Sequence, residues 1–253
     1  MLAIALAWIS GSAAALAAAG EVTVSAAASL TDVLQQAAKM YEWQTGDRLV
    51  LNFGASNTLA RQIAAGARVD VFISADEAQM DAVAEHIVPG TRKDVLSNQL
   101  AIAVPDDRPR AFASARDLVD ASIRRIAIGD PAAVPAGVYA KTYLERAGLW
   151  KQIAARIVPV GSVRLALAAV ENGAADAAIV YRTDIGAARR AREAYVVPVA
   201  EGPAIRYPAA AIRGGTNRRG AQAFLAFLDS PQASALFTRA GFVPLAARRR
   251  LHP

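Results

Sequence analysis

Four places in this sequence set small hydroxyl, Gly or Ala residues between a strand-like run and a helix-like run. They are Val24-Ser25-Ala26-Ala27-Ala28-Ser29-Leu30-Thr31-Asp32, Phe53-Gly54-Ala55-Ser56-Asn57-Thr58-Leu59, Gly129-Asp130-Pro131-Ala132-Ala133-Val134-Pro135-Ala136-Gly137 and Gly161-Ser162-Val163-Arg164-Leu165. Where a helix begins, its first N–H groups have no intrahelical partner and the positive end of its dipole faces outward, so each junction suits an anion. Small side chains matter because a bulky one would hold the anion away from the backbone. Ordinary helix caps share the pattern, and Ser29 with Asp32 three residues on reads as a capping-box-like pair. Taken alone, the spacing says only that an anion could bind.

Enzyme chemistry is poorly provided for. Gly54-Ala55-Ser56-Asn57-Thr58 falls short of the G-x-S-x-G nucleophile elbow because its last position is Thr. The base of a Ser-His pair would have to be His86, whose place in Glu85-His86-Ile87-Val88-Pro89 reads as a surface or capping position. No G-x-x-x-x-G-K-[ST] loop is present. Asp70, Asp76, Glu77 and Asp81 could suggest paired carboxylates or a hard-metal site, but Asp76 and Glu77 fit better as the cap and first turn of a helix. The 253 residues include no cysteine and two histidines, His86 and His252. Thiol nucleophiles, disulfides, Cys-based metal sites and a Cys-borne lipid anchor are thereby excluded, and so is a multi-His site. The net charge is +6, with half of the excess in Arg248-Arg249-Arg250, so a nucleic-acid footprint is not expected.

The elements that must position these junctions follow from periodicity. Val22–Val24, Leu49–Phe53, Val71–Ile73, Leu100–Val104, Ile126–Ile128, Val158–Val160, Ile179–Val180, Val196–Val199 and Ala209–Ile212 read as short strands. Leu30, Val33, Leu34, Ala37, Ala38 and Tyr41 trace one buried helix face, and Leu59 with Ile63 opens another helix. Ser230-Pro231 starts a late helix that Gly241 stops. Strands alternating with helices predict α/β sheets covered on both faces. Pro105-Asp106-Asp107-Arg108-Pro109 is the most linker-like stretch. Residues 1–20 carry no charge, hold an apolar run from Leu2 to Ile9 and end on the small-x-small pattern Ala17-Ala18-Ala19. They read as a secretory signal peptide, although no Lys or Arg precedes the apolar run. The rival, an uncleaved anchor, is disfavoured by the Ala, Gly and Ser of the second half.

From Val22 to Leu245 the chain resembles the periplasmic molybdate-binding proteins, the substrate receptors of molybdate ABC importers. The resemblance is carried by Ala26-Ala27-Ala28-Ser29-Leu30-Thr31, Ser56-Asn57-Thr58-Leu59-Ala60-Arg61-Gln62-Ile63, Asp70-Val71-Phe72-Ile73-Ser74-Ala75-Asp76, Gly129-Asp130-Pro131 on to Val134-Pro135-Ala136-Gly137, Ile179-Val180-Tyr181 and Gly241-Phe242. It implies a two-lobed α/β periplasmic binding protein fold, each lobe a mixed or parallel sheet flanked by helices, with the ligand in the cleft between. Lobe 1 would be discontinuous, residues 21–103 and 208–253, and lobe 2 would span 104–207. The site it implies is Ser29, Ser56, Ala136, Val163 and Tyr181, with no catalytic residue, no cofactor and no directly coordinated metal cation. Ser29, Ser56 and Tyr181 would donate through hydroxyls, and Ser29, Ser56, Ala136 and Val163 through main-chain N–H groups.

The resemblance further implies an exported, periplasmic, monomeric receptor without a lipid anchor. Its partners would be the molybdate or tungstate oxyanion and an ABC transporter permease with its ATPase. A receptor for another tetrahedral oxyanion such as sulfate is the alternative, followed by a hydrolase using Ser56. A shell made only of donors suits fully ionised oxyanions. Phosphate at pH 7 keeps a proton, which such a shell leaves without an acceptor at a cost of about 1–3 kcal/mol. Sulfate would be refused by size, since it is too small to reach every donor at once.

Overall fold

A computed structural model describes residues 20–245. The expected signal peptide up to Ala19 and the Arg248–Arg250 run lie outside the described residues. Strand β1 (Glu21–Ala27) leads through a short 3-10 turn (Ala28–Leu30) into α1 (Thr31–Thr45). The helix buries the predicted stripe of Val33, Leu34, Ala37, Ala38 and Tyr41, and Gly46 at φ +77° ends it. The chain continues through β2 (Arg48–Gly54), α2 (Ser56–Ala64), β3 (Val71–Ile73), α3 (Glu77–Asp81) and β4 (Lys93–Asn98). Next come β5 (Leu100–Pro105), β6 (Ile126–Gly129), α4 (Pro135–Arg146), α5 (Trp150–Ile153), β7 (Ile157–Val160), α6 (Val163–Glu171), β8 (Ala177–Tyr181), α7 (Arg182–Gly186) and β9 (Ala191–Val196). Last are β10 (Ile205–Ala211), α8 (Arg218–Leu228), α9 (Pro231–Arg239) and β11 (Val243–Pro244).

Two mixed sheets result. The first has the order β11-β4-β10-β3-β1-β2, with β1, β2 and β3 parallel and β10 antiparallel to β3 and β4. The second has the order β7-β6-β8-β5-β9, with β6, β7 and β8 parallel and β5 antiparallel to its neighbours. Central strands such as β8 and β5 are buried at every position, which is why they read as continuous apolar runs.

Sheet membership moves the crossings between lobes. β5 pairs along its length with β8 and β9, so Leu100–Val104 belongs to the second sheet, and the chain crosses at Gln99 rather than after residue 103. Ile205–Tyr207 pairs with β4 in the first sheet, so the return crossing is residues 197–204 rather than 207–208. Periodicity identifies a strand but not the sheet it joins, and only one residue separates β4 from β5. The linker-like Pro105–Pro109 stretch joins β5 to β6 within the second lobe.

Three strands differ from expectation, among them the two-residue β11, which the sequence does not mark as a strand. β4 is polar in sequence, and its charges are matched elsewhere, Lys93 by Asp229 and Asp94 by Arg206. β9 lies upstream of the apolar Val196–Val199 run, at the outer edge of the second sheet, where Arg192 and Glu193 remain exposed.

Candidate functional site

The parallel strands of both sheets end at the same place. β1, β2 and β3 deliver Ser29, Ser56 and Ala75 from the first lobe. β6, β7 and β8 deliver Ala136, Val163 and Tyr181 from the second. All six line one cavity of about 20 Å³, together with Ala27, Ala28, Gly54, Ala55, Val134, Pro135 and Ser162. The five residues expected from the sequence are thus brought together, and every one is nearly buried: Ser29 3%, Ser56 1%, Ala136 1%, Val163 4% and Tyr181 1% exposed. This is the position where α/β sheets bind ligands, at the carboxyl ends of parallel strands. None of these lining residues carries a charged side chain.

Local sequence explains each placement. Ser56 opens α2 behind an extended Ala55, and its Oγ accepts the Ala75 N–H at 3.0 Å. That bond occupies a lone pair and leaves the Ser56 proton to be donated. In α4, Pro135 stands at the first helical position and has no N–H, so Ala136 carries the first N–H of that helix. The end of α4 sits directly on β6: a Cβ at Gly137 would lie 1.9 Å from the Gly129 carbonyl oxygen. Only glycine allows that approach. At α6, Ser162 caps the helix by accepting the Leu165 N–H at 3.2 Å, leaving Val163 at the first position facing the cavity.

Ser29 differs from its expected role. The turn after β1 has no side-chain cap, and Asp32 turns instead to Arg164. The Ser29 Oγ lies 3.1 Å from the Tyr207 hydroxyl of β10. Tyr207 also receives the Asn98 Nδ2–H at 3.3 Å, and the same amide donates to Thr183 Oγ1 at 2.9 Å. These residues were not legible in the sequence: Tyr207 reads as strand core, and Asn98 has no motif around it.

Tyr181 is the least satisfied group. Its main-chain N–H donates to Asp184 Oδ2 at 3.2 Å, which holds the residue at the start of α7. Its hydroxyl is buried and finds no hydrogen-bond partner among the described residues. Burial first, then the nearby Tyr207, Tyr139, Asp76 and Asp184, push this phenol well above its ordinary pKa, so it stays protonated and can donate. A buried O–H without an acceptor is destabilising by about 1–3 kcal/mol, and Tyr181 lines the cavity, where a bound anion would supply one. The buried Asn57 Oδ1 also lacks a partner, but Asn57 is not among the cavity-lining residues.

The lobes touch around the cavity. The Tyr181 and Tyr207 rings pack at 5.9 Å between centroids. Arg164 of α6 reaches Asp32 across the cleft and Asp184 within its own lobe, the latter at 2.8 Å from Nε to Oδ1. Neither of those two atoms makes a hydrogen bond, so the contact is a charge pairing off the ideal line. Burial therefore outweighs Arg164, and the Asp184 carboxyl is raised from 3.8 to about 6. The other acidic residues singled out in the sequence are structural. Asp76 caps α3 by accepting the Gln79 N–H at 2.9 Å, and Asp70 accepts from the N–H groups of Thr23 and Asn217. No cluster of potential metal ligands occurs among the described residues. His86 lies on a 3-10 turn (Ala84–His86) and is not among the residues lining the cavity.

Two α/β lobes crossed twice by the chain, with a small cavity at their shared edge lined from both and by no charged side chain, define a solute-binding protein of the periplasmic binding class. The comparisons agree. The sequence profile of the bacterial extracellular solute-binding protein family matches residues 22–243, and the chain belongs to that family. It is 37% identical over 238 residues to the molybdate-binding protein ModA of Escherichia coli (strain K12), covering 90% of this chain and 91% of that protein. Among solved structures it is similar to the periplasmic molybdate-binding protein of Azotobacter vinelandii, with TM-score 0.80, 27% identity, and coverage of 88% and 98%. It is also similar to the substrate-binding domain of a putative molybdenum ABC transporter from Clostridium difficile, with TM-score 0.70, 30% identity, and coverage of 90% and 100%.

Proposed function

We propose that this chain captures molybdate, and equally tungstate, between its lobes and delivers it to an ABC permease and its ATPase. The observation that carries the reading is the Tyr181 hydroxyl, a buried donor without a partner among the described residues, on a residue that lines a cavity with no charged side chain. Ser29, Ser56 and Tyr181 donate through hydroxyls, and the first N–H groups of α2, α4 and α6, with the N–H of Ser29, complete the shell. Each such bond to a charged ligand contributes roughly 1.5–3 kcal/mol. With donors divided between lobes, neither lobe alone can replace the anion's hydration, so binding is coupled to closure. The names of the relatives support the choice of molybdate among oxyanions.

The protein is read as a binder and not a catalyst. The Ser56 hydroxyl accepts from Ala75, and no imidazole or carboxylate lines the cavity to take its proton. It acts as a monomer in the periplasm, exported by the signal peptide of residues 1–20. No helix among the described residues is long and apolar enough to cross a membrane.

Thermal melting of the exported chain with molybdate, tungstate, sulfate or phosphate tests the assignment, because a ligand of the folded state raises its apparent stability. Molybdate and tungstate should raise the melting temperature alike. A shift with sulfate and none with molybdate would reassign the protein to the sulfate alternative.

A further inference from the structure

We propose that Tyr207 and Asn98 are positioning residues that bias the direction of the Ser29 hydroxyl, so that Ser29 offers the bound oxyanion a donor in preference to an acceptor. This deepens the oxyanion-binding reading and rests on it.

A chain of hydrogen bonds runs from the lobe crossing to the cavity. The Gln99 N–H donates to Asn98 Oδ1 at 2.9 Å, which fixes the orientation of the Asn98 amide. The Nδ2 of that amide must then donate, and it does so to Thr183 Oγ1 at 2.9 Å and to the Tyr207 hydroxyl at 3.3 Å. Tyr207 is wholly buried, and burial keeps its phenol protonated. With Asn98 already donating to it, Tyr207 must place its own proton on an acceptor. Among the described residues the acceptor in reach is Ser29 Oγ, at 3.1 Å. Ser29 Oγ therefore accepts a hydrogen bond from behind, which leaves its own O–H to be donated toward the cavity it lines. Ser56 is oriented the same way by the Ala75 N–H.

The consequence is selectivity by proton count. A hydroxyl with both lone pairs free can readily turn one to the proton of monohydrogen phosphate or arsenate, whereas one that already accepts from behind and points its proton into the cavity is biased toward donating. The backing network, and not the ligating residues alone, makes the first-lobe half of the cavity hostile to protonated oxyanions. It also ties that selectivity to Asn98, the last residue before the chain crosses between lobes.

The test measures molybdate and phosphate affinities at pH 8 for wild type, Tyr207→Phe, Asn98→Asp, Ser29→Ala and the Ser29→Ala/Tyr207→Phe pair. Tyr207→Phe removes the proton given to Ser29 while preserving the ring. Asn98→Asp supplies an acceptor that draws the Tyr207 proton away, which reverses the chain. Each should raise the ratio of phosphate to molybdate affinity at least ten-fold, whatever the absolute loss. In the Ser29→Ala background, Tyr207→Phe should leave the ratio unchanged, since no hydroxyl remains to be oriented. Equal losses for both anions in both variants, or a ratio change that persists without the Ser29 hydroxyl, would overturn the proposal. Failure of the wild type to bind molybdate would instead overturn the oxyanion reading beneath it.

Discussion

The two halves of the cavity hold their donors by different means. In the second lobe, the N–H groups at Ala136 and Val163 point where their helices point, and helix geometry fixes them without further help. In the first lobe, Ser29 and Ser56 present hydroxyls that rotate, and each is held by a donor behind it, Tyr207 or the Ala75 N–H. Backbone donors depend on where a helix sits. Side-chain donors depend on a network. Tyr181 belongs to neither type, because its hydroxyl is held by burial and ring packing alone.

Moving a helix should therefore damage the second-lobe half more than any side-chain deletion. Gly137→Ala places a Cβ 1.9 Å from the Gly129 oxygen and forces α4 off β6. The expected result is a loss of roughly a hundred-fold or more in molybdate affinity by calorimetry, since the Ala136 N–H and its neighbours leave the anion together. Overpacking should lower stability by about 1–3 kcal/mol in urea unfolding. Unchanged binding would mean that α4 contributes no donor.

Tyr181→Phe removes a single donor and should weaken binding roughly ten- to a hundred-fold. The stability of the ligand-free protein should hold or rise, because the lost hydroxyl has no partner among the described residues. A destabilised variant with unchanged affinity would return Tyr181 to the ordinary core.

The smallest effect concerns Asp184, which braces Tyr181 and Arg164 from behind. Its folded pKa of about 6 lies above its ordinary 3.8, so the folded state holds more protons in that interval. Its contribution to stability is present below about pH 4 and is lost as pH rises through about 6. Asp184→Asn should remove that slope from a series of unfolding measurements between pH 4 and pH 7. An unaltered slope would show that the carboxyl titrates normally.

Legibility in the sequence divides along the same line. The β1, β3, β5 and β6 strands and the α1 stripe announced themselves because burial is written in periodicity. The five cavity residues stood out as junctions and through family motifs. What supports them did not. Tyr207 and Asn98 lie far from Ser29 along the chain, and Tyr207 meets Ser29, with Asn98 behind it, only because β10 returns to the first sheet between β3 and β4. The Ser29–Asp32 pair looked like a local cap and became two long-range contacts, one to Tyr207 and one to Arg164. Local spacing shows which groups can donate, and tertiary topology decides which way their protons face.

The central claim is that both halves present donors only, closing on one fully ionised anion. Calorimetric titration of the wild-type protein with molybdate and with phosphate at pH 8 tests it most directly. One molybdate should bind per chain, with phosphate at least ten-fold weaker because its remaining proton meets no ready acceptor. Phosphate binding as tight as molybdate would contradict it.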